Sequence, residues 1–417
     1  MLILQGMKLQ TPKGFRDFLP ADALKRKAVI DRIISVFERF GFDPIETPTI
    51  EYEETLQGKY GEEERLIYKF ETSGGDRLAL KYDQTVPLAR VVAQWGPVGQ
   101  QKLVLPFKRY QIQPAFRGEN TQKGRYREFL QCDADIVGVS SPLADTEILS
   151  LAYQVYKQLG LDVIIKINDR SLLAEFEPKH LSAIDKLNKV GEAGVIQELS
   201  QKGLSGAEAA QTLSKIRNMQ PTPNLAQVIA DFKAEGYPDN VLQFDPTLVR
   251  GLDYYTGIIL EVVQRSDPNS SSLCGGGRYD KMIGKFTGVD IPAIGFAIGF
   301  DRTVEALEAN NLLQPIATKT KALVALNSPD HQSKALGVLS QLRNAGINSE
   351  IWLDSTTKME KQLKYTDLKG IQFVVIVGLL DNEDPNQVIL KDLHSRMQET
   401  INITDLVEKI NKPVIPA

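Results

Sequence analysis

"FRGENTQKGRYREFLQCDAD", residues 116 to 135, ends one alternating segment, breaks at Gly118 into a polar loop rich in cations, and resumes as a second alternating segment. Read with a period of two, the second half sets Arg127, Phe129, Gln131, Asp133 and Asp135 on one face and Leu130, Cys132, Ala134 and Ile136 on the other. One face packs on a core and the other carries charge, amide and a ring, as in an antiparallel sheet covered on one side. A lone strand of this kind is ordinarily a solvated sheet surface. Here, however, Arg117, Lys123, Arg125 and Arg127 crowd around one short turn beside Glu119, and guanidinium groups take phosphate oxygens two at a time. With Phe129 available to stack a base, the hairpin predicts a nucleotide triphosphate held on an antiparallel sheet.

Other nucleotide-binding devices fail on inspection. "GGGRYDKMIGKFTG", residues 275 to 288, contains Gly-Lys, but the spacing is wrong for a P-loop and Phe286 stands where a Ser or Thr would meet magnesium. No Gly-x-Gly-x-x-Gly follows a parallel strand. Cys132 and Cys274 lie far apart, and His180, His331 and His394 form no ligand spacing, so neither a disulfide framework nor a protein-bound metal is expected. The net charge of -4 means that nucleic acid, if bound, meets a local basic patch and not the whole surface. The opening "MLILQGMKLQ" has no cleavage pattern, no window reaches the length of a membrane span, and a cytoplasmic protein is expected.

At 417 residues the chain is long enough for two or three domains. Residues 21 to 40 predict a core-facing helix ending at Gly41, and Pro44 and Pro48 then confine any strand to an edge or to short pieces. "RLALKYDQTVPLAR" and "KRYQIQPAFR" read as further alternating segments of the antiparallel sheet. A helix is expected over 143 to 160, a strand in "DVIIKIND", and a helical insertion from about 170 to 243, after which the sheet resumes at 247. It continues through "CGGGRYD" and closes in "IPAIGFAIGFDRTVEALEANN", a strand running into a helix. "LLQPIATKTK" reads as a linker. Beyond it, "KALVALN", "INSEIWL", "FVVIVGL" and "QVILKDL" are strands interleaved with helices at 329 to 345 and 357 to 369. The fold class is α+β, with a domain over residues 1 to 316 and a small α/β domain over 320 to 417.

The hairpin resembles motif 2 of the class II aminoacyl-tRNA synthetases, "IGFAIGFDR" their motif 3, and "GFDPIETPTIE" their motif 1. "RGLDYYTG", "CGGGRYD" and the early "TPKGFRDFLP" are similar to the signature segments of the histidyl-tRNA synthetase family, and the resemblance runs in family order over essentially the whole chain. It implies an antiparallel catalytic sheet of six or seven strands, a helical insertion, a C-terminal anticodon-binding domain, and a homodimer formed largely through motif 1. The implied reaction is ATP-dependent activation of L-histidine to histidyl-adenylate with Mg2+ on the outer phosphates, then transfer to the histidine tRNA.

Carried over by position, the resemblance gives Arg117 the α-phosphate, Glu119 the adenine region, and Arg125 and Arg127 the outer phosphates. Phe129 stacks on adenine and Arg302 closes from the other side, while Gly295 and Gly299 permit close backbone approach. Histidine recognition falls to Asp83, Thr85, Gln131, Asp135, Tyr254 and Tyr255. Gln131 and Asp135 span about 13 Å on one strand face, enough to address different ends of one ligand. In "RGLDYYTGIILEVV" Arg250 is the central catalytic cation, Gly251 to Asp253 turn the chain, and the remainder is sheet. Two positions depart from the family's bacterial pattern: Asp83, with Lys81 before it, stands where Glu is common, and Asp301 replaces Glu before Arg302. The rival reading is the regulatory paralogue, a non-catalytic subunit of ATP phosphoribosyltransferase. It usually lacks the anticodon domain and loses motif residues that are present here.

Overall fold

In a computed structural model the chain is described over residues 3–4, 7–122, 124–250, 254–379 and 384–411, with the side chains of 3, 4, 7, 8, 61 and 62 left aside. It forms two compact units, one of Met1–Asp17 with Val29–Leu313 and one of Phe18–Ala28 with Gln314–Ala417. Lys123 and Gly251 to Asp253, which the sequence places in the cation-rich loop and in the turn after Arg250, lie outside the described residues.

The first unit is built on one eight-stranded sheet. Its strands are β1 (Asp43–Pro44), β2 (Phe107–Phe116), β3 (Glu128–Val137), β4 (Val163–Asp169), β5 (Leu242–Phe244), β6 (Ile258–Gln264), β7 (Cys274–Arg278) and β8 (Ala293–Gly299), in spatial order β5-β4-β6-β7-β8-β3-β2-β1. The six central strands are antiparallel. The two short edge strands add in parallel, β1 to β2 and β5 to β4, so the antiparallel part has the six strands expected and the whole sheet eight. Pro44 ends β1 after two residues, as its missing N–H requires.

The predicted alternation of β3 is realised. Cys132, Ala134 and Ile136 join Ile294, Phe296 and Ile298 of β8 and Leu260 and Val262 of β6 in one core. That core is closed by Val29, Ile33, Val36 and Phe37 of α1 (Pro20–Arg39) and by the helix over Pro142–Leu159. Asp133 and Asp135 point to the opposite face, across from Gln111 and Arg109 of β2 and Ala297 and Gly295 of β8.

Two expectations are corrected. Only Arg77–Leu80 of "RLALKYDQTVPLAR" is a strand, and it belongs to a separate three-stranded sheet with Ile50–Tyr52 and Lys69–Glu71. From Thr85 the chain is the helix α2 (Thr85–Trp95), because Asp83 Oδ1 accepts the Thr85 and Val86 N–H groups at 3.1 and 3.2 Å, and Pro87 suits the first turn. The sheet also resumes earlier than 247, at Leu242–Phe244, and β6 begins only at Ile258. Between β4 and β5 lie four helices, Pro178–Ile184, Leu187–Gln201, Gly206–Arg217 and Pro223–Ala234. The first three share a core of Leu181, Ile184, Val195, Leu199, Leu213 and Ile216, to which Val249 adds.

The second unit carries a five-stranded mixed sheet. β9 (Ala322–Leu326) pairs in parallel with β10 (Ser349–Ile351) and β11 (Phe373–Val377), and β12 (Gln387–Asp392) and β13 (Gln398–Asn402) extend it antiparallel. β13 escaped the sequence reading, since "QETIN" buries only Ile401 and shows no apolar alternation. No described helix is long and apolar enough to cross a membrane.

Candidate active site

The polar face of β3 opens into a cavity of about 430 Å³ whose walls come from β3, β6, β7, β8, α2, the loop after Phe116 and the helical insertion. Every site residue expected from the sequence lines it except Arg127.

At one end the wall is acidic and aromatic. Asp135 Oδ2 meets the fully buried Arg109 Nη2 at 2.6 Å, and the Tyr279 hydroxyl donates to Asp135 Oδ1. Burial pushes the Asp135 carboxyl above its ordinary range, against the pull of Arg109 and Tyr279. A Cβ at position 295 would stand 1.9 Å from Asp135 Oδ1, so glycine there makes room for the carboxyl group. Asp83 Oδ1 accepts from the Tyr60 hydroxyl at 2.9 Å as well as from the two α2 N–H groups, and burial raises its pKa too. The Tyr254 and Tyr255 rings lie 4.7 Å apart, and Tyr279 meets Tyr254 edge-on at 6.0 Å.

At the other end the wall is cationic. Arg117 donates through Nε to the Tyr82 carbonyl at 3.2 Å, and its guanidinium lies 4.3 Å from the Tyr82 ring and 5.0 Å from the Phe129 ring. Arg250 reaches Glu261 Oε1 at 3.4 Å, and a Cβ on Gly275 would come within 2.3 Å of Arg250 Nη2. Arg302 donates to the carbonyls of Gly124 and Ser272, both at 3.1 Å, tying the hairpin loop to the loop before β7. Burial and then Arg125 press the Arg302 pKa downward, which is the condition an incoming anion relieves. Arg125 meets Glu119 Oε2 at 3.4 Å.

Arg127 goes elsewhere. Period-two alternation holds only from Glu128, where β3 begins, and the Arg127 side chain turns to donate to the Glu119 carbonyl at 3.2 Å and to pack on Gly14. Arg16, in the early "TPKGFRDFLP" segment, pairs with Asp301 Oδ1 at 2.8 Å and lies over the Tyr126 ring, which brings that segment to the site.

The sequence reading did not assign Arg109, Tyr279, Glu63 or Asp185 to the site. Arg109 was legible, because Arg109, Gln111 and Gln113 alternate on "KRYQIQ" as the polar face of β2. Tyr279 sits in a segment singled out for its glycines. The Tyr82 hydroxyl donates to Glu63, which comes from a short 3-10 helix over Gly61–Leu66, and Asp185 arrives from the insertion beside Arg250; neither carried a local signal.

Comparison with known proteins agrees with this arrangement. The sequence profile described as histidyl-tRNA synthetase matches residues 14–303, and that of an anticodon binding domain matches 320–413. A histidine–tRNA ligase of Aeropyrum pernix is 40% identical over 410 residues, covering 91% of this chain and 93% of that protein. A histidine–tRNA ligase of Bacteroides fragilis is 36% identical over 456 residues, covering 96% and 98%. The crystal structure of histidyl-tRNA synthetase from Nostoc sp. superposes with a TM-score of 0.83 at 31% identity, covering 97% of this chain and 99% of that one. With the family's profile across the catalytic sheet and full-length relatives on both sides of it, the chain belongs to the histidyl-tRNA synthetase family and carries an anticodon-binding domain.

Proposed function

We propose that the two ends of this cavity divide the work of a histidine–tRNA ligase, the acidic and tyrosine-lined end holding histidine and the guanidinium-lined end holding ATP. The observation that carries the reading is their meeting in one cavity, which Arg117 and Arg250 both line. A histidine carboxylate oxygen attacks the α-phosphorus, the bond to the bridging oxygen breaks, and pyrophosphate leaves with its electron pair. The terminal adenosine hydroxyl of the tRNA then attacks the acyl carbon, and AMP departs. Both transition states place negative charge on α-phosphate oxygens, where fixed guanidinium groups lower the barrier.

In this scheme Arg117 and Arg250 hold the α-phosphate, Phe129 and Arg302 enclose adenine with Glu119 beside it, and Arg125 reaches the outer phosphates. Arg127 acts through the Glu119 backbone as a positioning residue. Asp83, Thr85 and Gln131 take the amino-acid end, and Asp135, Tyr254 and Tyr255 the imidazole. Mg2+ would enter on the triphosphate, and Glu119, Glu261, Asp185 and Asp301 are among the carboxylates that line the cavity.

The remaining assignments follow the family. Residues 1 to 316 form the catalytic domain with its insertion over about 170 to 243, and 320 to 417 bind the anticodon of the histidine tRNA. A homodimer forms through the motif 1 segment, a reading supported by exposed Ile50, Tyr52 and Phe70 on the small sheet beside it. The protein works in the cytoplasm. Exchange of labelled pyrophosphate into ATP, with each amino acid supplied in turn, tests the reading. Histidine-dependent exchange that stops in excess chelator is expected, and folded protein with no such exchange would leave the regulatory paralogue as the better account.

A further inference from the structure

The acidic end holds one more carboxyl group than the scheme above uses. Asp133 lies on β3 between Gln131 and Asp135, lines the cavity, and is 2% exposed, yet its Oδ1 has no hydrogen-bond partner among the described residues. None of the surrounding cations donates to Asp133 Oδ1, although Arg109 Nε is itself buried without a hydrogen-bond partner. Arg109 is bound to Asp135 at 2.6 Å and to Gln111 at 3.1 Å, Lys81 to Gln113 Oε1 at 2.8 Å, and Arg117 to the Tyr82 carbonyl at 3.2 Å. Burial raises the Asp133 carboxyl well above its ordinary range, with Arg109 opposing and Asp135 and Asp83 reinforcing. An unpaired buried carboxyl is costly to a fold, so its place on a cavity wall calls for a ligand that answers it.

Two further acceptors lie near it. Gln131 Oε1, on a side chain 6% exposed, has no hydrogen-bond partner either, and the two residues stand roughly 7 Å apart along the strand. Asp83 has three donors on Oδ1. A primary ammonium has three N–H donors, no acceptor and a positive charge, which matches three acceptors of which two are carboxyl groups.

We propose that Asp133 binds the α-ammonium of the amino-acid substrate, completing with Asp83 and Gln131 Oε1 a set of three acceptors around it. The proposal rests on the reading of this cavity as the site of histidine activation. Asp133 thereby selects for a cationic amine and takes no part in reading the imidazole.

The test uses the full chain with Asp133→Asn and, as a second variant with no polar side chain, Asp133→Ala. Two ligands divide the histidine molecule: histidinol keeps the imidazole and ammonium without the carboxylate, and 3-(imidazol-4-yl)propionate keeps the imidazole and carboxylate without the ammonium. Calorimetric titration is expected to show histidinol weakened about ten-fold or more in both variants, the effect of one charge-assisted hydrogen bond, while imidazolylpropionate changes less than about two-fold. The ligand-free Asn variant is expected to melt no lower than the parent, since the carboxyl group it replaces has an oxygen without a partner. Equal weakening of both ligands would move Asp133 to the imidazole, and no change in either would make it a bystander; each overturns the proposal. Failure of the underlying reading is separately visible, as parent protein whose pyrophosphate exchange does not depend on histidine.

Discussion

Gly275→Ala tests the catalytic role proposed for Arg250 without replacing that residue. The three atoms nearest to an added Cβ at 275 all belong to the Arg250 guanidinium, at 2.3, 2.5 and 2.5 Å. Carbon and nitrogen in contact need about 3.5 Å, so the guanidinium must retreat by roughly 1 Å. The Gly275 backbone is not in the left-handed region and the crowding atoms are the far end of a long side chain, so the fold should lose less than about 1 kcal/mol. The chemistry should lose far more. Removing one preorganised donor from a developing oxyanion costs about 3 kcal/mol, and a misplacement of about 1 Å has similar weight, so kcat for pyrophosphate exchange should fall roughly 100-fold. Arg250→Ala sets the ceiling, and the double variant should be no slower than Arg250→Ala alone, because both remove one contribution. A folded Gly275→Ala protein within about three-fold of the parent rate, or a double variant whose losses add in full, would refute the reasoning.

Arg109→Met leaves the Asp135 carboxylate buried without its partner and should cost about 3–5 kcal/mol in urea unfolding, where retention of full stability would show that the pair is incidental. Asp145, bonded to Arg278 at 2.6 and 2.9 Å, is raised from 3.8 to about 6 by burial, which outweighs the arginine. A raised folded-state pKa means stability present below pH 4 and lost as pH rises through 6, by at most roughly 3 kcal/mol; the difference between the parent and Asp145→Asn should reproduce that slope, and parallel curves would contradict it. Removal of residues 320–417 should abolish tRNA charging while histidine-dependent pyrophosphate exchange persists, and equal charging by the shortened chain would remove the anticodon role.

What the sequence revealed followed the range of the forces involved. The β2–β3 hairpin, α1 and the β8-to-helix segment are set by local periodicity and turn chemistry, and all three are found in place. The same local reasoning misjudged "YDQTVPL", where alternation suggested sheet but Asp83 Oδ1 accepts two N–H groups of the first turn of a helix. Arg127 failed for a smaller reason, as strand geometry starts one residue later. Glu63 and Asp185 reach the cavity only through the tertiary fold, and no spacing in one sequence announces that. The partnership of Asp135 with Arg109 and Tyr279 joins residues from three strands or loops, so the types were readable while their pairing was not.

The glycine run of β7 has a consequence for how this site can change. A Cβ at 275 meets Arg250, one at 276 comes within 2.2 Å of the Gly295 carbonyl oxygen, and one at 277 meets Tyr255 at 2.8 Å. These three positions are bare backbone shaped by atoms left out, and every substitution at them adds bulk. Mutation of these three glycines can therefore narrow the range of amino acids admitted but cannot widen it, and any drift toward a larger substrate must begin at another position.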